Sequence, residues 1–301
     1  MASLFSFGSK SSDRIAISFD GGANRPTKRT GTGPTEVVLP IFDNKEPFTG
    51  SVEVRVDPGK KLEHMGIKIE MVGQTEMFYD RGNYSEFVQT VRELAPAGLL
   101  ANTQQFSFDF SNKEKEFESY NGLNVRLRYF IRVTIARNYQ SNYVKEQDFI
   151  VQIVSPPPDA VVPIKMEVGI EECLHIEFEY DKKFYHLKDI IIGKVFFLLV
   201  RIKIKHMEVN IIRREQAGSA GAQQYNESET LTKFEVMDGA PVRGECIPIR
   251  LFISSLEVTP TYKSINKKFS VKYYLNLVLV DQEDRRYFKQ QEVIMWRNQV
   301  G

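Results

Sequence analysis

Four histidines and two cysteines are the side chains of this sequence best suited to binding a metal or acting in catalysis. The histidines are His64, His175, His186 and His206. They include no pair four residues apart and no cysteine at zinc-site spacing, so the sequence predicts no metal site. His175 alternates with Leu174 and Ile176, which favours a solvent-facing position on a strand. Cys173 and Cys246 provide no disulfide framework, and their strand-like surroundings predict buried free thiols in a reducing compartment.

Motifs for phosphate binding and for hydrolysis are incomplete or missing. Gly31-Thr32-Gly33 lacks the third glycine, the lysine and the following helix of a phosphate-binding loop. There is no Gly-x-Ser-x-Gly nucleophile elbow. The acidic pairs Glu171-Glu172 and Glu177/Glu179 suit ordinary solvent-facing positions. We therefore expect no catalytic activity and no cofactor.

The composition indicates a folded, near-neutral protein of about two domains. With 301 residues, 42% hydrophobic and 26% charged, and a net charge of +1, the chain has enough apolar side chains for ordinary cores. The neutral balance gives no general reason to expect nucleic-acid binding. The N-terminus lacks the pattern of a signal peptide, and the most apolar run, residues 190–200, is about half a membrane span. We expect a cytoplasmic protein whose association with membranes is peripheral.

A long strand pattern that occurs twice organises the chain. From Val125 to Ile135 every second residue is apolar, and most residues between them are arginine or threonine. This alternation predicts a β-strand with one apolar face and one basic face. The pattern returns 144 residues later, with Phe269 matching Val125, and the match continues without a gap through the following turn. A strand pair is therefore predicted twice, which indicates two copies of one β-domain.

A second match supports the duplication. The matching residues are Gly98, Phe106 and Phe108 in the first copy and Gly239, Ile247 and Ile249 in the second. Many short alternating segments between turn residues are typical of β-sandwiches. Three consecutive prolines at 156–158 favour a short, stiff linker. We predict an all-β fold of two tandem antiparallel β-sandwich domains, residues 1–154 and 166–301, joined by a proline-rich linker at 155–165.

Three other segments carry local predictions. Phe87, Val91 and Leu94 lie at helical spacing, which predicts a helix over 85–94. Residues 190–205 are predicted to form a strand because apolar residues run through the segment and alternate with basic ones at its end. Residues 216–232 are polar with few large apolar side chains, which predicts a mobile loop.

The basic residues of two predicted strands leave two interpretations open. They are Arg126, Arg128 and Arg132 in the first and Arg201, Lys203 and Lys205 in the second. Such a face could bind acidic lipid headgroups or acidic peptides. Alternatively, it keeps an exposed sheet face solvated and opposes aggregation. Aromatic residues do not form stacking runs between these basic residues, so the pattern does not favour nucleic-acid binding.

The segment between Phe234 and Ile247 is a candidate binding site. Turn residues occupy Asp238 to Pro241, yet the adjacent apolar residues Val236 and Met237 lead into them. Adjacent residues of a strand face opposite sides, so one of the two is predicted to be exposed. An exposed methionine beside a loop suits an adaptable anchor for a protein partner, and simple core packing is the alternative.

Several long segments resemble the vacuolar protein sorting 26 family, the arrestin-like subunit of the retromer complex. They are FEVMDGAPVRGECIPIRLFI, INKKFSVKYYLNLVLVDQEDRRYFKQQEVIMWR, KMEVGIEECLHIEFEYDKKFYHLKDIIIGKVFFLLVRIKIKHMEV and GQTEMFYDRGNYSEFVQTVRELAPAG. The resemblance covers essentially the whole chain. It implies two arrestin-like β-sandwiches and a non-catalytic adaptor role on endosomal membranes, where transmembrane cargo is retrieved to the Golgi or the plasma membrane.

The resemblance also implies binding residues and partners. The family's loop for the helical-solenoid subunit of retromer matches Val236, Met237, Asp238, Gly239, Pro241, Val242 and Arg243. The family's groove for the cytosolic tails of transmembrane cargo, formed together with a phox-domain sorting nexin, matches positions near Val168 and Phe288.

Two other classes of protein remain open on the residues alone. A receptor-binding arrestin-type adaptor outside retromer would sense phosphorylated tails through buried charges. A carbohydrate- or lipid-binding β-sandwich enzyme would show a deep cleft with converging carboxylates or histidines.

Overall fold

The structure is a computed structural model that describes residues 14–31, 33–79, 84–170, 172–218 and 224–299. The chain divides into two compact units, of which the first runs to Val154 and the second from Ser155 to Asn298. The described residues form β-strands and two short 3-10 helices, Gly22–Asn24 and Gly33–Thr35. No helix in this part of the chain is long and apolar enough to cross a membrane.

The first unit contains two main sheets. Its strands are β1 (Ile15–Phe19), β2 (Thr27–Thr30), β3 (Val37–Asp43), β4 (Thr49–Val54), β5 (Leu62–His64), β6 (Ile67–Met77), β7 (Tyr84–Ala95), β8 (Gly98–Leu100), β9 (Gln104–Asp109), β10 (Tyr120–Asn121), β11 (Val125–Ile135) and β12 (Tyr143–Gln152). One sheet has the order β1-β4-β9 and the other β2-β3-β12-β11-β6-β7, with β10 paired to β11. Strands β5 and β8 form a separate pair.

The second unit is also built from two sheets. Its strands are β13 (Ile164–Ile170), β14 (Leu174–Tyr180), β15 (Phe184–His186), β16 (Ile190–Val200), β17 (Ile204–Ala217), β18 (Tyr225–Asp238), β19 (Cys246–Phe252), β20 (Tyr262–Ile265), β21 (Phe269–Asp281) and β22 (Arg286–Trp296). One sheet has the order β13-β14-β16-β19 and the other β15-β22-β21-β17-β18, with β20 paired to β21.

The repeated strand pattern forms the same arrangement in both units. The hairpin β11/β12 lies beside β6, and the hairpin β21/β22 lies beside β17, with all of these pairs antiparallel. A short strand runs parallel to the second strand of each hairpin, β3 along β12 and β15 along β22. The prediction of an all-β fold built from antiparallel β-sandwich units is confirmed.

The second sequence match also has a structural counterpart. Gly50 of β4 lies opposite Phe108 of β9, and Gly193 of β16 lies opposite Ile249 of β19. A Cβ atom on Gly50 would lie 2.2 Å from the carbonyl oxygen of Ser18, and one on Gly193 would meet the neighbouring strand at 2.6 Å. Neither space accommodates a carbon atom, so both units require glycine where these strands approach each other.

The apolar faces of the strands meet to form the cores. In the first unit Phe42 and Phe48 are fully buried with ring centroids 4.7 Å apart, and the ring of Phe149 lies 4.5 Å from that of Phe48. The second unit buries the alternating residues of β21, including Leu275 and Leu277. Full burial of side chains of this size contributes about 1.5–3 kcal/mol each.

The helix predicted over 85–94 is wrong, because these residues belong to β7. This edge strand pairs with β6, and register shifts interrupt its alternation near Gly73 and Ile67 of that partner. The ring centroids of Phe87 and Tyr129 are 5.5 Å apart, so Phe87 packs against a residue of β11. It does not pack along one face of a helix with Val91 and Leu94, as the spacing had indicated.

Two further predictions change in the second unit. The strand region predicted over 190–205 is broken at 201–203, where the chain leaves β16 in one sheet and enters β17 in the other. The loop predicted over 216–232 is wrong over most of its length, because β18 begins at Tyr225 and pairs with β17. Residues 219–223 of that loop lie outside the described part of the chain.

Candidate partner-binding loop

Val236 and Met237 lie near the end of β18, the edge strand of its sheet. Met237 lies opposite Met207 and Glu235 lies opposite Glu208, so Val236 is an extra residue between two cross-strand pairs. Such a β-bulge interrupts the strict alternation of side chains. Both Val236 and Met237 are half-buried, so the prediction that one of them is exposed is wrong. The bulge explains the difference, because it removes the alternation on which the prediction depended.

The turn that follows β18 is fixed by hydrogen bonds to two other strands. The N–H of Gly239 donates to the carbonyl of Lys205 at 2.8 Å, and the N–H of Gly244 donates to that of Phe197 at 2.7 Å. Both glycines have positive φ, 102° and 85°, a backbone conformation that favours glycine. Pro241 between them is buried. The turn from Asp238 to Gly244, here called the β18–β19 loop, is therefore held against β16 and β17.

The tip of the β18–β19 loop presents an apolar side chain to solvent. Val242 is 67% exposed, and its N–H donates to the carboxylate of Glu245 at 2.9 Å. The N–H of Glu245 donates back to the carbonyl of Val242 at 3.1 Å, which closes a tight turn. Arg243 is exposed within this turn, and Asp238 is exposed before it. Apolar anchors surrounded by exposed charges are typical of a protein-binding surface.

Phe234 adds a second exposed apolar group that the sequence analysis did not include in the site. It lies on β18 two residues before the bulged Val236 and is 47% exposed. The sequence does contain one indication of this role, because Phe234 is the one aromatic residue in the polar stretch 226–235. An aromatic side chain left half in solvent on an edge strand suits an interface anchor.

The structure places the two predicted groove residues on different sheets of the second unit. Val168 is half-buried on β13, the edge strand of one sheet, where it lies opposite Ile176. Phe288 is exposed on β22 of the other sheet, where it lies opposite Val278. A ligand that contacts both residues would therefore have to reach from one sheet to the other.

The histidines and cysteines do not assemble into a reactive site within the described residues. No group of three or more His, Cys, Asp or Glu side chains there is arranged to hold a metal ion. His175 is half-buried, with its Nε2 atom 3.4 Å from the carboxylate of Glu167. Cys246 is exposed and Cys173 half-buried, so the prediction of buried thiols is wrong. Cys173 lies in the turn before β14 and Cys246 on the outer face at the start of β19.

The arginines of β11 are paired with acidic residues of β12. Arg128 contacts Asp148 at 2.7 Å and Glu146 at 2.8 Å, and Arg132 contacts Glu146 at 2.9 Å. Burial raises the pKa of Glu146, but the hydrogen bonds from Arg132 and Arg128 outweigh it and hold that pKa below its ordinary value. These pairs support the interpretation that the basic face maintains a solvated sheet.

The second group of basic residues does not form a strand face. Arg201 and Lys203 lie in the connection between β16 and β17. Lys205 lies on β17, where its ammonium group contacts Asp284 at 2.9 Å. Arg201 and Lys203 therefore lie in a connection and Lys205 lies on a strand, so the predicted basic stripe does not form.

The described residues form two antiparallel β-sandwich units, and a turn held by hydrogen bonds exposes an apolar side chain at its tip. These features are typical of adaptor proteins that bind other proteins and carry no catalytic site. Comparison with known families agrees, since the family model described as vacuolar protein sorting-associated protein 26 matches residues 9–284. Vacuolar protein sorting-associated protein 26 of Dictyostelium discoideum is 58% identical over 95% of this chain and 82% of its own length. Vacuolar protein sorting-associated protein 26B of Homo sapiens and that of Xenopus tropicalis are each 54% identical over 98% of this chain and 87% of their own lengths.

The chain belongs to the vacuolar protein sorting-associated protein 26 family. Its two units therefore have the arrestin-like β-sandwich fold that the resemblance implied. Family membership gives the chain a role in vacuolar or endosomal protein sorting.

Proposed function

We propose that this chain is the non-catalytic adaptor subunit of a retromer-type coat and that its β18–β19 loop binds the coat's helical-solenoid subunit. The observation that carries the proposal is the exposure of Val242 on a turn tied to two strands, next to the exposed Phe234 and the half-buried Val236 and Met237 at the end of β18. In this role the chain is cytoplasmic and reaches endosomal membranes peripherally, through the complex.

The rigidity of the loop favours binding. A turn already held by the hydrogen bonds of Gly239 and Gly244 loses little conformational freedom when a partner docks. Met237 adds a flexible, polarisable side chain that adapts to the partner's surface. Arg243, exposed at the rim, is a residue type enriched at interfaces.

The proposal includes a second contact, in which Val168 and Phe288 help a phox-domain sorting nexin to hold the cytosolic tail of a transmembrane cargo protein. The exposed ring of Phe288 supports it, because large exposed aromatic side chains are frequent binding anchors. No catalytic step is part of this function.

Co-purification of the chain with the helical-solenoid subunit tests the main interface. The test variant is Val236→Asp with Met237→Asn. The matched control is Val161→Asp with Val162→Asn, which changes an adjacent, solvent-accessible valine pair in the connection before β13. Thermal melts of all proteins verify folding.

We expect the wild type and the control to bind and the folded test variant to bind at least about a hundredfold more weakly, as expected for loss of two central anchors. Equal binding by the folded test variant would show that the loop is not the interface. Failure of the folded wild type to bind would remove the proposed coat function itself.

A further inference from the structure

The first unit contains a basic cavity that the proposed function does not use. The cavity has a volume of about 320 Å³ and lies between the start of β1, the connection from β4 to β5 and the turn between β11 and β12. Four cationic residues line it, namely Arg14, Lys60, Lys61 and Arg137. Glu63 is the one acidic residue among the lining side chains.

The positive charge of this cavity is only partly neutralised. Asp57 contacts Arg14 at 2.7 Å and Lys60 at 3.3 Å, so a single carboxylate serves two cations. Lys61 is exposed and has no hydrogen bond or ion pair with the described residues. The hydrogen bonds of Arg137 go to Gln140, Ser141 and Tyr143, none of which is acidic, so Lys61 and Arg137 both keep a positive charge that attracts an anion.

The guanidinium groups of the cavity are held in place before any ligand binds. Arg137 stacks on the ring of Tyr143 at 3.8 Å and donates hydrogen bonds to the Tyr143 hydroxyl and the Ser141 carbonyl, each at 2.9 Å or less. Arg14 lies 5.7 Å from the centroid of the same ring. Most N–H groups of Arg137 are bonded within the turn, so this fixed guanidinium group offers a phosphate mainly its positive charge.

Three exposed apolar or aromatic side chains belong to residues next to those that line this basic cavity. Tyr139, in the turn that supplies Arg137, is 97% exposed and has a φ of 53°, which is unusual for a non-glycine residue. Leu99 is 54% exposed and lies opposite Glu63, one of the lining residues. Met65 is 56% exposed, and its N–H donates to the carbonyl of Ala136 beside Arg137.

We propose that this end of the first unit binds the phosphorylated headgroup of an anionic phospholipid directly at a membrane surface. In this arrangement Lys60, Lys61 and Arg137 contact the phosphate, and Tyr139 and its apolar neighbours enter the interfacial layer. Tyrosine is enriched at the level of lipid headgroups, and basic residues near anionic lipid add to the attraction. A membrane fits this surface better than a phosphopeptide does, because the exposed apolar side chains lie on segments next to the cavity and are not among the residues that line it.

The inference is independent of the proposed function, since it concerns the first unit and requires no protein partner. The test is co-sedimentation of the isolated full chain with phosphatidylcholine vesicles, with and without phosphatidylinositol 3-phosphate. The charge variant is Lys60→Glu with Lys61→Glu. The matched control is Lys28→Glu with Lys113→Glu, two exposed lysines of the same unit that do not line the cavity.

We expect the wild type and the control to bind phosphoinositide vesicles equally and the charge variant to lose about tenfold or more in affinity. A Tyr139→Ser variant should bind these vesicles more weakly, which separates membrane insertion from attraction by charge alone. Equal loss in the charge variant and the control would show diffuse attraction and overturn the proposal, as would absence of wild-type binding.

A competition arm distinguishes lipid from other phosphates. Inorganic phosphate or a phosphopeptide, added at the concentration of the accessible lipid, should displace little of the bound chain. If either one displaces the vesicles fully at that concentration, the cavity is a site for free phosphate or for phosphopeptides, and the lipid assignment is wrong.

Discussion

Arg137 and Asp281 occupy the same position, 144 residues apart, where the first strand of each repeated hairpin leads into its turn, and each is hydrogen-bonded to the tyrosine six residues later. Arg137 donates to the hydroxyl of Tyr143 at 2.9 Å. The hydroxyl of Tyr287 donates to the carboxylate of Asp281, also at 2.9 Å. In both units this residue is therefore hydrogen-bonded to the tyrosine hydroxyl. It is basic in the first unit and acidic in the second.

Asp281 should make the stability of the second unit sensitive to acid. Its carboxylate accepts hydrogen bonds from the Arg285 side chain, from the N–H groups of Glu283 and Arg285, and from Tyr287. Burial raises the pKa of Asp281, but these bonds outweigh it and lower the pKa to about 2. A depressed pKa stabilises the fold above the ordinary value of 3.8 and stops doing so as the pH falls through about 2.

We therefore expect Asp281→Asn to be less stable than the wild type at pH 7 and to lack the wild type's loss of stability between about pH 4 and pH 2 that this carboxylate causes. The fluorescence of Trp296, the single tryptophan, follows urea unfolding of this unit. Asp284→Asn is the control, because the side chain of Asp284 is largely exposed and its carboxylate contacts Lys205 and not the groups bonded to Asp281. Parallel pH profiles for wild type and Asp281→Asn would contradict the assignment.

Tyr129 should stabilise the first unit through its hydroxyl group. This fully buried hydroxyl accepts a hydrogen bond from the N–H of Phe117 at 3.1 Å and donates one to the carbonyl of the same residue at 2.9 Å. Tyr129→Phe leaves both backbone groups without this partner, which should lower the free energy of unfolding by about 1–3 kcal/mol. Urea unfolding followed by circular dichroism measures the change.

Tyr180→Phe is a matched comparison for this loss. Tyr180 is equally buried, yet its hydroxyl makes no hydrogen bond with the described residues. Removal of an unpaired buried hydroxyl should leave the stability unchanged or raise it. Equal destabilisation by both substitutions would mean that lost packing, and not the bond to Phe117, causes the effect of Tyr129→Phe.

The glycines at the close strand approaches should not tolerate alanine. A Cβ at residue 193 would lie 2.6 Å from the carbonyl oxygen of Glu179 and 2.8 Å from the ring of Tyr180. Because a backbone atom cannot move aside easily, Gly193→Ala should cost about 1–3 kcal/mol or more and lower the melting temperature. Gly169→Ala is the control, since its Cβ would lie 3.6 Å from the nearest atom, an ordinary contact. Similar melting temperatures for the two variants would contradict this expectation.

The sequence was most informative where side chains alternate between a buried and a solvated face. The patterns from Val125 and Phe269 predicted long strands, and the ungapped match predicted that both units would contain the same hairpin. The pattern was misleading on edge strands, because bulges change the alternation there. The false helix over 85–94 and the expected exposure of Val236 or Met237 both arose on such strands.

Other parts of the candidate site depend on contacts between distant segments. Gly239 and Gly244 donate hydrogen bonds to the carbonyls of Lys205 and Phe197. These residues lie more than 30 positions away in the sequence, so the local sequence pattern could not predict the bonds. Phe234 was missed for the same reason, since its exposure depends on the position of β18 at the sheet edge. The roles of Val168 and Phe288 follow only from the family resemblance, because they lie far apart in sequence and on different sheets.

Phe288 should contribute to cargo binding in the assembled complex. Phe288→Asp places a charge where the proposed groove requires an apolar ring, so we expect about tenfold or greater loss of affinity for a cargo-tail peptide. Calorimetric titration of the peptide into the chain with its solenoid and sorting-nexin partners measures this loss. Leu123→Asp, at an exposed leucine of the first unit, should leave the affinity unchanged. Unchanged affinity in folded Phe288→Asp would remove this residue from the groove.

The connections of the two hairpins match in length and in strand register. Residues 137–143 and 281–287 are equal in length, connect equivalent strands in the same register and end in a tyrosine bonded to the first residue of the segment. Transplanting residues 281–287 in place of 137–143 would change the net charge of this segment from +1 to −1 while keeping the strand register. The paired strands therefore set the register of each hairpin, whereas the residues of the connection set the charge at that end of the unit.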